Sequence, residues 1–264
     1  MMPMKQWPTV AAVGLFLIVF AMMSYWIVYV PGYAELWRSA PVYVAQSYRT
    51  LIGVIVVFLL AHALLRTSDK GVLETLGLTR SPLPGFAAAL AMVLPLYVVF
   101  AFSYRIAAIA PLEVLFIAIL SPFGEELAFR GFAFAFLRRI AGWGFWPAAL
   151  APAVVFGIGH VFQAADAIGL IVNLLLIGLG SILFAWLFEK WSGLWAPFAL
   201  HALMNLHWTV FAVGEDAGIL PYVMQGVTVA LAVLLTVFRT RILSLQPSSF
   251  WRQAQKWVKG ERPA

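Results

Sequence analysis

Cysteine is absent from all 264 residues. Disulfides, thiolate nucleophiles and cysteine-ligated zinc or iron–sulfur centres are therefore excluded. Charge is scarce: 11% of the residues are Asp, Glu, Lys or Arg, against about 25% in a soluble domain of this length. Glycine/serine linkers, low-complexity tracts and clear repeats are also missing, so nothing marks a second domain within 1–264. What the chain has is apolar residues, 63% of the total. That composition predicts an all-α, polytopic transmembrane helical bundle with the lipid bilayer as its solvent. The net charge of +6 would suit nucleic acid, but the basic residues sit in loops and the tail, as membrane orientation requires, and no nucleic-acid partner is expected.

A helix needs about 20 apolar residues to cross the hydrocarbon core. The apolar runs give eight candidates, roughly 8–30, 41–65, 86–104, 111–137, 145–162, 168–188, 194–213 and 220–239. The first run is too long for the apolar core of a signal peptide and reads as a retained helix. With the N-terminus inside, the inner segments carry Lys5, then Arg66, Lys70 and Arg80, then Arg138 and Arg139, then Lys190, then the basic residues from Arg239 on. The outer segments carry only Arg38, Arg49 and Arg105, beside Glu35, Asp166, Glu215 and Asp216. This bias predicts both termini in the cytoplasm. The tail, 240–264, interleaves Trp251 and Trp257 with Arg252, Lys256 and Lys259. It reads either as a basic amphipathic helix on an anionic leaflet or as a disordered segment.

An ionisable side chain at mid-bilayer costs roughly 2.5–3.5 kcal/mol on insertion scales, and such residues face a cavity or a partner. Few qualify. Glu125, Glu126 and Arg130 lie in the fourth span, His160 in the fifth, Asn173 in the sixth, and His201, Asn205 and His207 in the seventh. Glu126 and Arg130 are four apart, share a helix face and can pair. Glu125 points about 100° away and is left to face something else. His201 and Asn205 are also four apart and share a stripe. His207 falls on another face beside Trp208 and reads as a packing histidine. His62, near the inner end of its span, reads as structural.

Three helices thus offer Glu125, His160, and His201 with Asn205. A carboxylate beside a histidine can draw a proton from water and act as a general base. An amide and a second imidazole can donate to a developing oxyanion. These are the parts of a hydrolase that uses activated water. Each has a plainer reading: an interhelical ion pair, a core histidine, a hydrogen-bonded helix contact. No H-E-x-x-H zinc helix and no G-x-S-x-G elbow is present. The serine of G-L-G-S at 178–181 has no histidine near it in sequence, and Asp216 has no second intramembrane aspartate.

E-E-L-A-F-R-G at 125–131, F-G-I-G-H at 156–160 and H-A-L-M-N at 201–205 resemble the three motifs, in order, of the CAAX-protease and bacteriocin-processing (CPBP/Abi) family of intramembrane glutamic endopeptidases. The resemblance covers about 70–210, and E-T-L-G-L-T-R at 74–80 is similar to the segment that often precedes the family's core. It implies that Glu125 is the catalytic glutamate, that His160 helps it activate water, and that His201 and Asn205 stabilise the oxyanion. Glu126, Arg130 and Phe156 are implied as supporting residues. The reaction so implied needs no cofactor; with few carboxylates and with His160 and His201 on separate spans, a complete zinc shell is possible but poor. The implied substrate is a membrane-associated protein or peptide, and the implied location is an integral, multi-pass one in the plasma or inner membrane of a prokaryote. Eukaryotic relatives trim prenylated CAAX ends, whereas bacterial ones are linked to peptide maturation, bacteriocin immunity or signalling. A non-catalytic membrane partner or immunity protein retaining the fold is the alternative reading. A proton-coupled transporter is weakened by the lack of paired broken helices.

One geometric tension follows from the spans. Counted along the helices, Glu125 and His160 lie near or above mid-bilayer and His201 nearer the inner face. They converge only if a helix is displaced, kinked or re-entrant, and Pro122, Pro152 and Pro197 each precede a site residue.

Overall fold

A computed structural model describes residues 6–22, 27–66, 68–161, 167–213 and 218–244, except the side chains of 168, 169, 172, 173 and 240–244. Lys5, Asp166, Glu215, Asp216, the side chain of Asn173 and the tail from 245 on lie outside the described residues. The helices are α1 Trp7–Ala21, α2 Tyr33–Ser39, α3 Val42–Leu65, α4 Val72–Thr75 and α5 Leu83–Ser103, then α6 over 111–140. There follow α7 Phe145–Ile158, α8 Ala167–Lys190, α9 Trp195–Val210 and α10 Leu220–Ser244. Among the described residues the only strand-like pairing is an antiparallel bridge between Ile106 and Phe211. The architecture is an all-α helical bundle.

Seven of the eight apolar runs are matched closely by a helix. The first departs: α1 stops at Ala21, and Ile27–Tyr29 forms a 3-10 turn. Among the described residues, three helices are long and apolar enough to cross a membrane, Val42–Leu65, Leu83–Ser103 and Leu220–Arg239. Helices α1 and α7 are apolar but only about 20 Å long, against a core of about 30 Å. The outer faces are apolar as lipid contact requires. Leu51, Ile55 and Leu59 of α3 are exposed one turn apart, as are Leu90, Leu94, Val98 and Phe102 of α5. The opposite face of α5 buries Ala89, Val93, Leu96 and Phe100.

Helix α6 is the centre of the bundle, and every residue from 126 to 137 is buried. An element enclosed on all sides must be apolar all round, which explains F-A-F-A-F-L. Three of its phenylalanines meet three different neighbours edge-on. Phe132 meets Phe16 of α1 at 5.0 Å between centroids, Phe129 meets Phe156 of α7 at 4.9 Å, and Phe134 meets Phe188 of α8 at 6.0 Å. Lipid offers apolar side chains no solvent penalty to escape, so such interlocking is what holds helices together. Each edge-to-face pair adds about 0.5–1.5 kcal/mol.

The winding of α6 is not uniform. Pro122 has no N–H to give the carbonyl one turn back, and its ring crowds that oxygen. Just upstream the ladder widens to π-helix over Phe116–Leu120, and the Ser121 N–H reaches the Phe116 carbonyl. The chain is α-helical at Ser121–Glu126 and π-helical again over Leu127–Phe134 and Phe136–Ile140. Gly142, at φ 71°, then takes the left-handed conformation that ends a helix. The Trp143 N–H donates back to the Leu137 carbonyl at 2.9 Å.

Helix α9 starts inside the bundle rather than level with the end of α6. His201 lies six residues from the start of α9, while Glu126 lies fourteen from the end of α6, an offset of roughly 10 Å along the axes. That displacement resolves the tension in depth. The start of α9 is fixed by the 76–80 segment: the Leu194 N–H donates to the Gly77 carbonyl at 2.9 Å, and Trp195 Nε1 donates to the Arg80 carbonyl at 2.7 Å. Gly85 of α5 lets the two backbones touch. A Cβ there would lie 2.7 Å from the Ala196 nitrogen and 2.8 Å from the Trp195 carbonyl carbon.

Candidate active site

The α-helical turn between the two π segments carries Ser121, Glu125 and Glu126. Glu126 is fully buried. Its Oε1 accepts from Arg130 Nη1 at 2.9 Å and from His201 Nδ1 at 2.7 Å. Arg130, also buried, donates from Nη2 to the Ser181 carbonyl at 3.3 Å. Its guanidinium lies over Phe156 at 4.9 Å and over Phe184 at 5.2 Å. Removing one member of a buried ion pair typically costs about 3–5 kcal/mol, because the other is left uncompensated. The i, i+4 pairing expected from spacing is therefore present and held from every side. Glu126 Oε2 has no hydrogen-bond partner among the described residues.

Glu125 is placed differently. Its side chain is 26% exposed. Oε1 accepts from Ser121 Oγ at 2.7 Å, one helical turn back. Oε2 faces His201 Nε2 at 3.8 Å, too far for a direct hydrogen bond. The two adjacent carboxylates thus straddle one imidazole, Glu126 at Nδ1 and Glu125 at Nε2. Spacing alone sends Glu125 away from its neighbour's partners. A five-membered ring with nitrogens on opposite edges brings them back together.

His201 is held flat. Phe184 of α8 stacks on it at 5.3 Å and 18°, and Phe156 of α7 meets it edge-on at 6.4 Å. His160 also meets Phe156, with ring centroids 4.6 Å apart. Its Nδ1 donates to the Phe156 carbonyl at 2.7 Å. A carbonyl only accepts, so the neutral ring carries its proton on Nδ1 and leaves a lone pair on Nε2. No ion pair joins His160 to Glu125 among the described residues. Asn205, one turn beyond His201 on α9, is half-buried, and its side-chain amide makes no hydrogen bond among the described residues. Its carbonyl accepts from Thr209 Oγ1 at 3.0 Å.

The structure therefore brings Glu125, Glu126, Arg130 and His201 into one cluster, with Phe156 in ring contact with both His201 and His160. His207 is buried against Phe100 and Trp208, at 5.2 and 4.9 Å, and is a packing histidine. His62 is exposed on α3. Three contributors escape a sequence reading. Ser121 is four residues before Glu125, a spacing that could have revealed it. The Ser181 carbonyl and the Phe184 ring leave no local signal. The atoms best placed to share a cation are Glu125 Oε2 and His201 Nε2, and no third histidine or carboxylate joins them among the described residues.

The same stretch of chain is matched by comparison with known proteins. No curated protein and no solved structure matches. The apolar helices and the matched family make this an integral membrane protein. Residues 107–207, which hold all three motifs and every residue of the cluster, match the family model described as type II CAAX prenyl endopeptidase Rce1-like, so this segment of the chain is similar to the CAAX-protease-like family that its motifs resemble.

Proposed function

We propose that this chain is an intramembrane endopeptidase that hydrolyses peptide bonds of membrane-associated proteins or peptides, with water activated by Glu125. The observation that carries this reading is the unequal treatment of two neighbouring carboxylates. Glu126 is buried and tied through Oε1 to both Arg130 and His201, whereas Glu125 is part-exposed and keeps Oε2 open beside His201 Nε2. The first is built as a support and the second as a base.

Glu125 accepts a proton from water, and His160 Nε2 offers a second acceptor for the same proton. The hydroxide oxygen attacks the carbonyl carbon, and the carbonyl electron pair moves onto oxygen. His201 Nε2–H and the Asn205 amide donate to that oxyanion. Nδ1 already donates to Glu126, so Nε2 donates only when the ring carries a second proton. Before the water proton moves, the two carboxylates then face two cations, and the cluster carries no net charge. The attacking oxygen and the oxyanion share one carbon, so base and donor must be neighbours; the 3.8 Å separation of Glu125 and His201 meets that requirement. As the C–N bond breaks, Glu125 returns its proton to the leaving amine. No covalent intermediate and no metal enter this scheme.

The test is a comparison of membrane-peptide termini in cells carrying wild type or Glu125→Gln. The isosteric variant is expected to insert normally and to lose the new termini completely. Identical termini would favour a non-catalytic membrane partner. Loss of activity in a chelator, restored by zinc, would overturn the metal-free scheme.

A further inference from the structure

A cavity of about 530 Å³ opens at the end of the bundle where α6 and α8 finish, lined by Lys70, Glu74, Thr75, Thr79, Arg80, Arg139 and Ser192. It lies about fourteen residues along α6 from Glu125, roughly 20 Å away, and belongs to no part of the proposed reaction. Three cations and one carboxylate face it, an excess of two positive charges. None of the three cations makes an ion pair with a described residue. Lys70 Nζ donates to the Arg139 carbonyl at 3.1 Å, and Arg139 Nη1 to the Thr75 carbonyl at 3.3 Å while its guanidinium lies over Phe188 at 4.6 Å. These contacts aim the cations without neutralising them. By contrast Arg138, next in sequence to Arg139, is paired with Glu189 at 3.1 Å.

Ser192 adds an independent sign of selection. It ends α8 at φ 56°, the sole non-glycine residue with positive φ among those described, and the Gly193 N–H closes the turn on the Phe188 carbonyl at 3.1 Å. That position ordinarily takes glycine. Here a residue that strains the backbone puts its side chain on the cavity wall instead.

We propose that this cavity is a site for a phosphate-bearing anion, held by Lys70, Arg80 and Arg139 with the Ser192 and Thr79 hydroxyls. Guanidinium and ammonium groups left unpaired around hydroxyls match the charge and donor pattern of a phosphate. The basic end of a helical bundle is where anionic headgroups lie. The phosphate comes either from the headgroup of an anionic lipid or from free phosphate.

Native mass spectrometry of the full-length protein in neutral detergent tests this, with phosphatidylglycerol, phosphatidylcholine or inorganic phosphate as probe. Wild type retains phosphatidylglycerol over phosphatidylcholine. The double variant Lys70→Gln/Arg80→Gln, both side chains exposed and outside the catalytic cluster, loses about thirtyfold in that preference, the weight of two basic groups near a surface. The control Arg66→Gln/Lys190→Gln removes equal charge from the same end of the bundle and leaves the preference intact. Retention through a wash with inorganic phosphate assigns the site to lipid. Displacement by phosphate, with the same dependence on Lys70 and Arg80, assigns it to the free anion. Equal retention by the double variant, or equal loss in the control, overturns the proposal.

Discussion

Oε1 of Glu126 stands 2.7 Å from Nδ1 of His201. The same oxygen accepts from Arg130, so one atom ties α6 to α9 and fixes which edge of the imidazole faces inward. Orientation follows from this contact. With Nδ1 committed to Glu126, only Nε2 remains to face Glu125 and any substrate between them.

Glu126→Gln tests the support role. The amide keeps the shape but removes the charge opposite a buried Arg130, and stability should fall by roughly 3 kcal/mol, the lower end for a broken buried pair. Glu125→Gln, at a quarter-exposed position with a neutral serine as its close partner, should change stability by no more than about 1 kcal/mol. Unfolding of both variants in detergent, followed by tryptophan fluorescence, checks the difference. Equal losses would mean that the two carboxylates do not divide the work as argued.

How much of this was legible in the sequence depends on the range of the physics involved. Helices and their limits follow from apolar run length, proline and glycine, which act locally. The Glu126–Arg130 pair follows from the repeat of the helix. The depth of His201 did not follow, because α9 is displaced by contacts distant in sequence, the Gly77 carbonyl at Leu194 and Gly85 at Ala196. The convergence of Glu125 and Glu126 on one ring did not follow either, because a rule about helix faces ignores the size of what lies between them. Phe184 was invisible because a stacking partner needs only to be aromatic and in the right place.

Ser121 is predicted to be a positioning residue. Its hydroxyl holds Glu125 Oε1 at 2.7 Å, and a hydrogen bond to a charged group is worth about 1.5–3 kcal/mol. Ser121→Ala should lower kcat by at least about tenfold while KM stays close to wild type, with a stability loss no larger than the worth of that one bond. Ser121→Thr, which keeps the hydroxyl, should recover most of the rate. The substrate is a peptide spanning a terminus identified by the Glu125→Gln comparison. A change confined to KM would show that the serine contacts substrate instead.

Asn205 and His201 are expected to separate in stability while agreeing in rate. The Asn205 amide has no hydrogen-bond partner among the described residues, so Asn205→Ala should leave the unfolding midpoint nearly unchanged. Losing an oxyanion donor should reduce kcat about 100- to 1,000-fold. His201→Ala should reduce the rate at least as much. It also strips Glu126 of a donor and Phe184 of its stacked ring, for a stability loss of about 1–3 kcal/mol. An Asn205→Ala enzyme with wild-type kcat would remove the amide from the reaction.

Gly85→Ala probes whether the position of α9 sets the chemistry. On helix propensity alone the change stabilises by about 1 kcal/mol. Against this, the new methyl group would meet backbone atoms of Trp195 and Ala196 at 2.7–2.8 Å. Backbone cannot rotate away as a side chain can, so α9 must move, and overpacking of this kind costs about 1–3 kcal/mol. The clash outweighs the gain in propensity, so a net destabilisation is expected. The shift also carries His201 away from a 2.7 Å contact with Glu126, and a misplacement near 1 Å can cost about 100-fold in rate. Activity should therefore fall much further than stability, although Gly85 is far from the reacting atoms. Parallel measurement of kcat and the unfolding midpoint decides the matter. A variant that is destabilised yet fully active would show that α9 can slide without disturbing the site.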